Sequence, residues 1–194
     1  MIKKTPLLCL VLLMLSCNQQ ENANGAEGST YFSVASLLNE QVGLLLSLDA
    51  KLEKQVTSDG ETETIELSPK DSAEWKSQLQ LFFDADISRP GYTGAYFVEE
   101  LPAISSLSKT IYTAKKKQNF VRVMECTYQE GSLKEVRLEL SKKNEVFNLN
   151  QELFLYFNLD TGESRLSSFS IKGDEKMKLK QGLSFDVNGT IVLP

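Results

Sequence analysis

Between Lys134 and Leu159 the chain changes character at nearly every residue. In "SLKEVRLEL" Val136, Leu138 and Leu140 alternate with Glu135, Arg137 and Glu139, and in "ELFLYFNL" Leu153, Leu155, Phe157 and Leu159 alternate with Phe154, Tyr156 and Asn158. A period of two belongs to strands with one face on a core and one face in water. The links are short: Glu130-Gly131-Ser132, Asp160-Thr161-Gly162-Glu163, Gly173-Asp174 and Asn188-Gly189 all read as turns. A parallel crossover needs a dozen residues or more, so neighbours joined this way must run antiparallel. From about Thr110 onward the sequence therefore predicts an antiparallel meander of roughly five to seven strands.

Upstream the period lengthens. Ser36, Glu40, Gly43, Ser47, Lys51 and Lys54 recur at spacings of three and four, with leucines and Val42 filling the remaining positions, which predicts a long amphipathic helix within residues 31–56. Asp59-Gly60 between two alternating runs predicts a hairpin, because both central positions of a type I′ turn need positive φ. A second helix follows, with Ser68 at its N-cap, Pro69 in its first turn and Asp71 at the positive end of its dipole. Trp75, Leu79, Phe82 and Phe83 fall on one face of it, and Pro90 ends it through Arg89. Helices first and strands afterwards give an α+β domain, with two N-terminal helices packed on one face of the C-terminal antiparallel meander.

The start of the chain, "MIKKTPLLCLVLLMLSCNQQENANG", is an address. Lys3 and Lys4 precede an apolar run too short to span a bilayer, and the small residue Ser16 precedes Cys17, so residues 1–16 read as a secretory signal. "MLSC" resembles a bacterial lipobox, with Met14 where leucine is usual. That resemblance implies cleavage between Ser16 and Cys17, fatty acylation of Cys17, and attachment to a membrane that the chain does not cross. Two or more acyl chains make a stable anchor where one is marginal. Residues 17–28 then form the lipidated cysteine and a polar tether, and residues 29–194 a single domain.

Composition removes several classes of function. Lys3 and Lys4 leave with the signal, and taking these two from 21 basic residues leaves 19 against 26 acidic ones, a net of −7. Such a balance argues against nucleic acid as a partner. No histidine is present, which excludes Ser-His-Asp and Cys-His machinery and His-ligated zinc. Cys9 leaves with the signal and Cys17 is acylated, so Cys126 is the sole remaining thiol and no internal disulfide forms. Its surroundings, "FVRVMECTY", suit a buried structural cysteine better than a reactive one.

No residue stands out as catalytic or metal-binding. Asp84 and Asp86 are too few for a hard cation and read as a solvated or Arg89-paired helix end. Glu99-Glu100 and Asp160/Glu163 read as surface charge, and the sequon Asn188-Gly189-Thr190 as part of a turn. Lys176, Lys178 and Lys180 fall on one side of a strand. They read first as protection of a sheet edge and second as a strip for an anionic partner.

Trp75, Leu79, Phe82, Asp86-Ile87 and Arg89-Pro90, after a hairpin and a long amphipathic helix, resemble a W-x₃-L-x₂-F-x₃-D-I-x-K-P segment. It is found in a lipoprotein family of unknown function from Bacteroidetes, and Arg89 stands here where lysine is usual. The resemblance implies an outer-membrane lipoprotein, facing the periplasm or the outside, and carries no catalytic residue across. The expected role is a non-catalytic, membrane-anchored envelope module without a cofactor, binding a protein, glycan or lipid. The alternatives are a carrier of lipid or another apolar ligand, and an envelope hydrolase working through carboxylates without histidine.

Overall fold

The computed structural model describes residues 31–159, 164–177 and 182–194. Ser16, Cys17, the tether, Asp160, Glu163, Lys178 and Lys180 lie outside the described residues. The elements run α1 (Val34–Ser47), β1 (Lys51–Ser58), β2 (Glu61–Leu67), α2 (Ser72–Gln78) and α3 (Gln80–Asp84). A 3-10 turn (Pro90–Tyr92) follows, then β3 (Tyr96–Ile104), β4 (Leu107–Ala114), β5 (Val121–Gln129), β6 (Ser132–Lys143), β7 (Phe147–Asn158), β8 (Arg165–Met177) and β9 (Leu183–Val192). The protein is mainly β. Among the described residues nine strands form one sheet in the order β2-β1-β9-β8-β7-β6-β5-β4-β3, with every neighbouring pair antiparallel.

The meander from β3 to β9 follows the chain strand by strand, as the short links require. The β1–β2 hairpin then extends it by pairing β1 with β9, Leu52 opposite Ile191 and Val56 opposite Val187. Asp59 and Gly60 take φ of 51° and 85°, and Glu130 and Gly131 take 53° and 83°, so both expected turns have the left-handed central pair they need. Ser105 and Ser106 make a third such turn without glycine, at φ 52° and 67°. Nothing in their residue types announces it.

Three sequence expectations fail locally. The long helix ends at Ser47, because Asp49 enters the left-handed region at φ 48° and its neighbour Ala50 donates back to the Leu45 carbonyl at 3.0 Å, a helix stop made without glycine. Lys51 and Leu52 satisfy a helical spacing and an alternating one equally, and pairing with β2 and β9 decides for strand; Lys54 then falls on the face of Leu52, where it donates to Gln78 at 3.2 Å. The second helix starts later than Ser68 and Pro69 suggest. Asp71 caps it by accepting from Glu74 N at 2.9 Å, while the Glu74 carboxylate accepts from Lys70 N at 2.7 Å. It also breaks in two at Leu79. Gly173-Asp174 and Asn188-Gly189 are not turns: β8 and β9 run straight through them.

Along β6, β7 and β8 the residues Val136, Leu138, Leu140, Leu153, Leu155, Phe169 and Ile171 are buried, and the register sets them rung against rung on one face. Val34, Leu38, Val42 and Leu45 of α1 belong to the same core, as do Trp75, Leu79 and Phe82. The Phe82 ring stands edge-on to Phe169, centroids 5.9 Å apart. Two buried polar side chains fix the helical part. Gln41 donates to the Ser164 carbonyl at 2.9 Å and accepts from Leu166 N at 2.7 Å, which ties α1 to the start of β8. Asp86 accepts from Val34 N at 3.1 Å and from the Ser88 hydroxyl at 2.7 Å. A carboxylate on the first N–H of α1 meets both an orphan donor and the positive end of the helix dipole.

Candidate functional site

The strand face opposite that core carries a polar grid whose order follows from the register. One row crosses the sheet as Gln55, Asn188, Ser170, Phe154, Arg137 and Glu125, and the next as Thr57, Asp186, Lys172, Glu152, Glu139 and Val123. Arg137 sits at the centre. Its guanidinium reaches Glu139 at 2.6 Å, Glu152 at 2.9 Å and Glu125 at 3.5 Å. Burial works against its charge, but the hydrogen bond to Glu152 and the three carboxylates outweigh that cost and hold it protonated above the usual arginine range. The guanidinium carbon also lies 5.9 Å from the Phe154 centroid, and Phe154 stacks on Tyr156 at 5.8 Å with parallel rings. Burial and the nearby Glu135 carboxylate raise the Tyr156 hydroxyl above its ordinary pKa, so it stays a neutral donor.

A cleft of about 670 Å³ opens beside this row. Its walls come from β5 to β9 and from β1 with its turn, and they include Asn150, Lys172, Asp174, Ser184 and Asp186. Asp59, Glu139, Glu152, Asp174 and Asp186 bring five carboxylates to it, against the two cations Arg122 and Lys172. Lys172 stands 3.9 Å from Asp186, and the Ser141 hydroxyl bonds Asn150 at 2.9 Å. Such a surface offers many hydrogen-bonding groups and repels anions. Glu139 and Glu152 face each other across β6 and β7, but one guanidinium holds both.

The residues singled out from sequence are not gathered here. Lys176 lies on β8, which is flanked by β7 and β9, so it does not guard a sheet edge as expected; it is exposed and sits 3.6 Å from Asp174. The edges are β2 and β3; Glu61, Glu63 and Glu66 lie on the first, and Glu99 and Glu100 on the second. Asp86 is a buried helix cap rather than a solvated end, Asp84 accepts from the Gln80 amide at 2.9 Å, and Arg89 donates to the Phe83 carbonyl. Asn188 lies within β9 and donates to Asp186 at 2.9 Å. Cys126 is buried, and burial pushes its thiol up to about 12, the inert state expected of it.

Among the described residues no group of three or more Cys, Asp or Glu could hold a metal ion. The Arg137 cluster escaped sequence reading because its members come from three strands. The one signal was that "EVRLEL" puts Arg137 and two glutamates on the same wet face. No known family model matches the chain, and no curated protein is significantly similar to it.

Proposed function

We propose that this protein is an outer-membrane lipoprotein, anchored through acylated Cys17, whose domain is a non-catalytic binding module. In this reading the helices of the N-terminal half cover one face of the sheet and leave the other to the ligand. The observation that supports it best is the cleft beside the Arg137 row, lined with hydrogen-bonding side chains on strands that cannot shift without breaking the sheet. A carboxylate hydrolase is disfavoured by Arg137, which occupies both Glu139 and Glu152. The five carboxylates favour a neutral or cationic partner of the envelope.

Two experiments test the two halves of the proposal. Cells fed a labelled fatty acid should label the wild-type chain and not Cys17→Ala, and wild-type labelling of that variant ends the lipoprotein reading. For the module, Ser184→Arg adds bulk and charge at an exposed position on the cleft wall. Recovery of envelope partners by crosslinking should fall at least about tenfold, the effect of roughly 1.4 kcal/mol. Unchanged recovery with an unchanged unfolding midpoint excludes the cleft as the binding site.

A further inference from the structure

Exposed apolar side chains are concentrated in one place. Among the described residues twelve large hydrophobics are exposed, and five of them, Phe97, Val98, Leu101, Ile104 and Leu107, fall within eleven residues of the β3–β4 hairpin. Ile104, beside the turn, is 77% exposed. The other seven are scattered over the rest of the sheet and the chain end, as single surface residues ordinarily are. β3 is also a sheet edge, where apolar residues invite association unless something covers them.

Three observations say what covers them. The first is where the preceding chain arrives. Tyr31 lies against β3: its hydroxyl accepts from Tyr96 N at 3.0 Å and lies 3.3 Å from the Tyr96 carbonyl, and its ring packs edge-on to those of Tyr96 and Tyr112. The residues before Tyr31 therefore join the domain at this edge. The second is local charge. Lys115, Lys116 and Lys117 follow β4 directly, and Lys115 lies over the Phe97 ring at 5.1 Å while donating to the Gly94 carbonyl at 2.9 Å. With Lys109 on β4 this edge has four lysines against Glu99 and Glu100, although Lys109 also pairs with Glu125 at 3.4 Å, in a protein that is acidic elsewhere. The third is extent. From Tyr96 to Ile104 a strand of this kind extends about 27 Å, long enough to lay its side chains along one surface.

We propose that the β3–β4 edge is a second membrane contact, with the apolar hairpin seated among the headgroups and upper acyl chains and the lysines on lipid phosphates. Apolar side chains beside cations are the pattern of interfacial binding, and a single weak contact suffices when an anchor supplies a high local concentration. The inference rests on the lipoprotein reading for the anchor alone; the hairpin's own affinity for lipid does not depend on it. It would hold the domain edge-down, with the cleft strands β6 to β9 raised away from the bilayer.

The test uses tryptophan as a depth probe in the full chain. Trp75 is the native tryptophan, and Trp75→Phe provides a dark background in which Ile104→Trp reports on the hairpin and Ile65→Trp on the opposite edge, β2. Each protein is reconstituted into phosphatidylethanolamine/phosphatidylglycerol vesicles with bromine on the upper acyl chain. Position 104 should lose roughly half its emission and shift to the blue, while position 65 does not change. Protein that floats with vesicles but is unquenched at 104 overturns the inference and leaves the anchor standing. Protein that does not float overturns the anchor, and excess vesicles then decide the hairpin alone: quenching at 104 sustains it, and none sinks it. A blue shift at 104 that grows with protein concentration without lipid assigns the edge to a second copy of the chain and also overturns the inference.

Discussion

Trp75→Ala should lower the unfolding midpoint by roughly 6 to 20 °C, the shift that a loss of about 3 to 5 kcal/mol produces in a domain of this size. Trp75 is fully buried on α2, in one core with Leu38, Val42 and Leu45 of α1. Removing the indole empties a space that its neighbours in the packed core cannot fully close. A domain has about 5 to 15 kcal/mol in total, so part of the population is expected to unfold at growth temperature. Trp75→Phe provides the contrast. The Trp75 Nε1–H is buried without a hydrogen-bond partner among the described residues, so phenylalanine keeps most of the ring and removes an orphaned donor that costs about 1 to 3 kcal/mol. Far-UV circular dichroism against temperature reads both. A midpoint for Trp75→Ala within a degree or two of wild type would mean that α2 does not pack as described.

The strong signals in this sequence were those in which one physical requirement selects one residue type. Asp59-Gly60 and Glu130-Gly131 had to be left-handed turns, and they are. The alternation of β6 and β7 had to place Val136, Leu138, Leu153 and Leu155 together, and the register does so. Signals that two structures can satisfy were misleading. Lys51 and Lys54 continue the polar stripe of α1, but Lys51, Leu52 and Glu53 equally alternate, and pairing with β2 and with β9, about 140 residues away, decides between them. Asp86 could not be read as a helix cap, because its partner Val34 precedes it by 52 residues. The Arg137 cluster had the same obstacle: Glu125, Glu139 and Glu152 meet one guanidinium only once β5, β6 and β7 are in register. Lys176 reads as an edge lysine only if Gly173-Asp174 and Asn188-Gly189 are turns; because β8 and β9 run straight through them, β8 lies between β7 and β9.

Glycine gave the most instructive error, and it yields the second large prediction. Gly173 and Gly189 looked like turn residues, yet both lie inside strands with no positive φ, and each sits directly across from an aromatic ring: Gly189 opposite Phe169, Gly173 opposite Phe185. A Cβ on Gly189 would lie 2.3 Å from the Phe169 ring, and one on Gly173 would lie 2.2 Å from Phe185. By contact alone the two sites are equal. They differ in where the ring can go. Phe169 is 2% exposed and wedged against fully buried Phe82, whereas Phe185 is half-buried at the margin of the core, where its ring can swing toward solvent. Gly189→Val should therefore cost about 3 kcal/mol or more, the upper range for overpacking, and lower the midpoint by roughly 6 to 12 °C. Gly173→Val should stay within about 1 kcal/mol of wild type, because valine suits a strand and the displaced ring has room. Pairing Gly189→Val with Phe169→Ala should cost less than the two singles added together, since the smaller side chain opens the space that valine needs. Equal losses at the two glycines would show that backbone freedom, not the fixed ring of Phe169, is what position 189 requires.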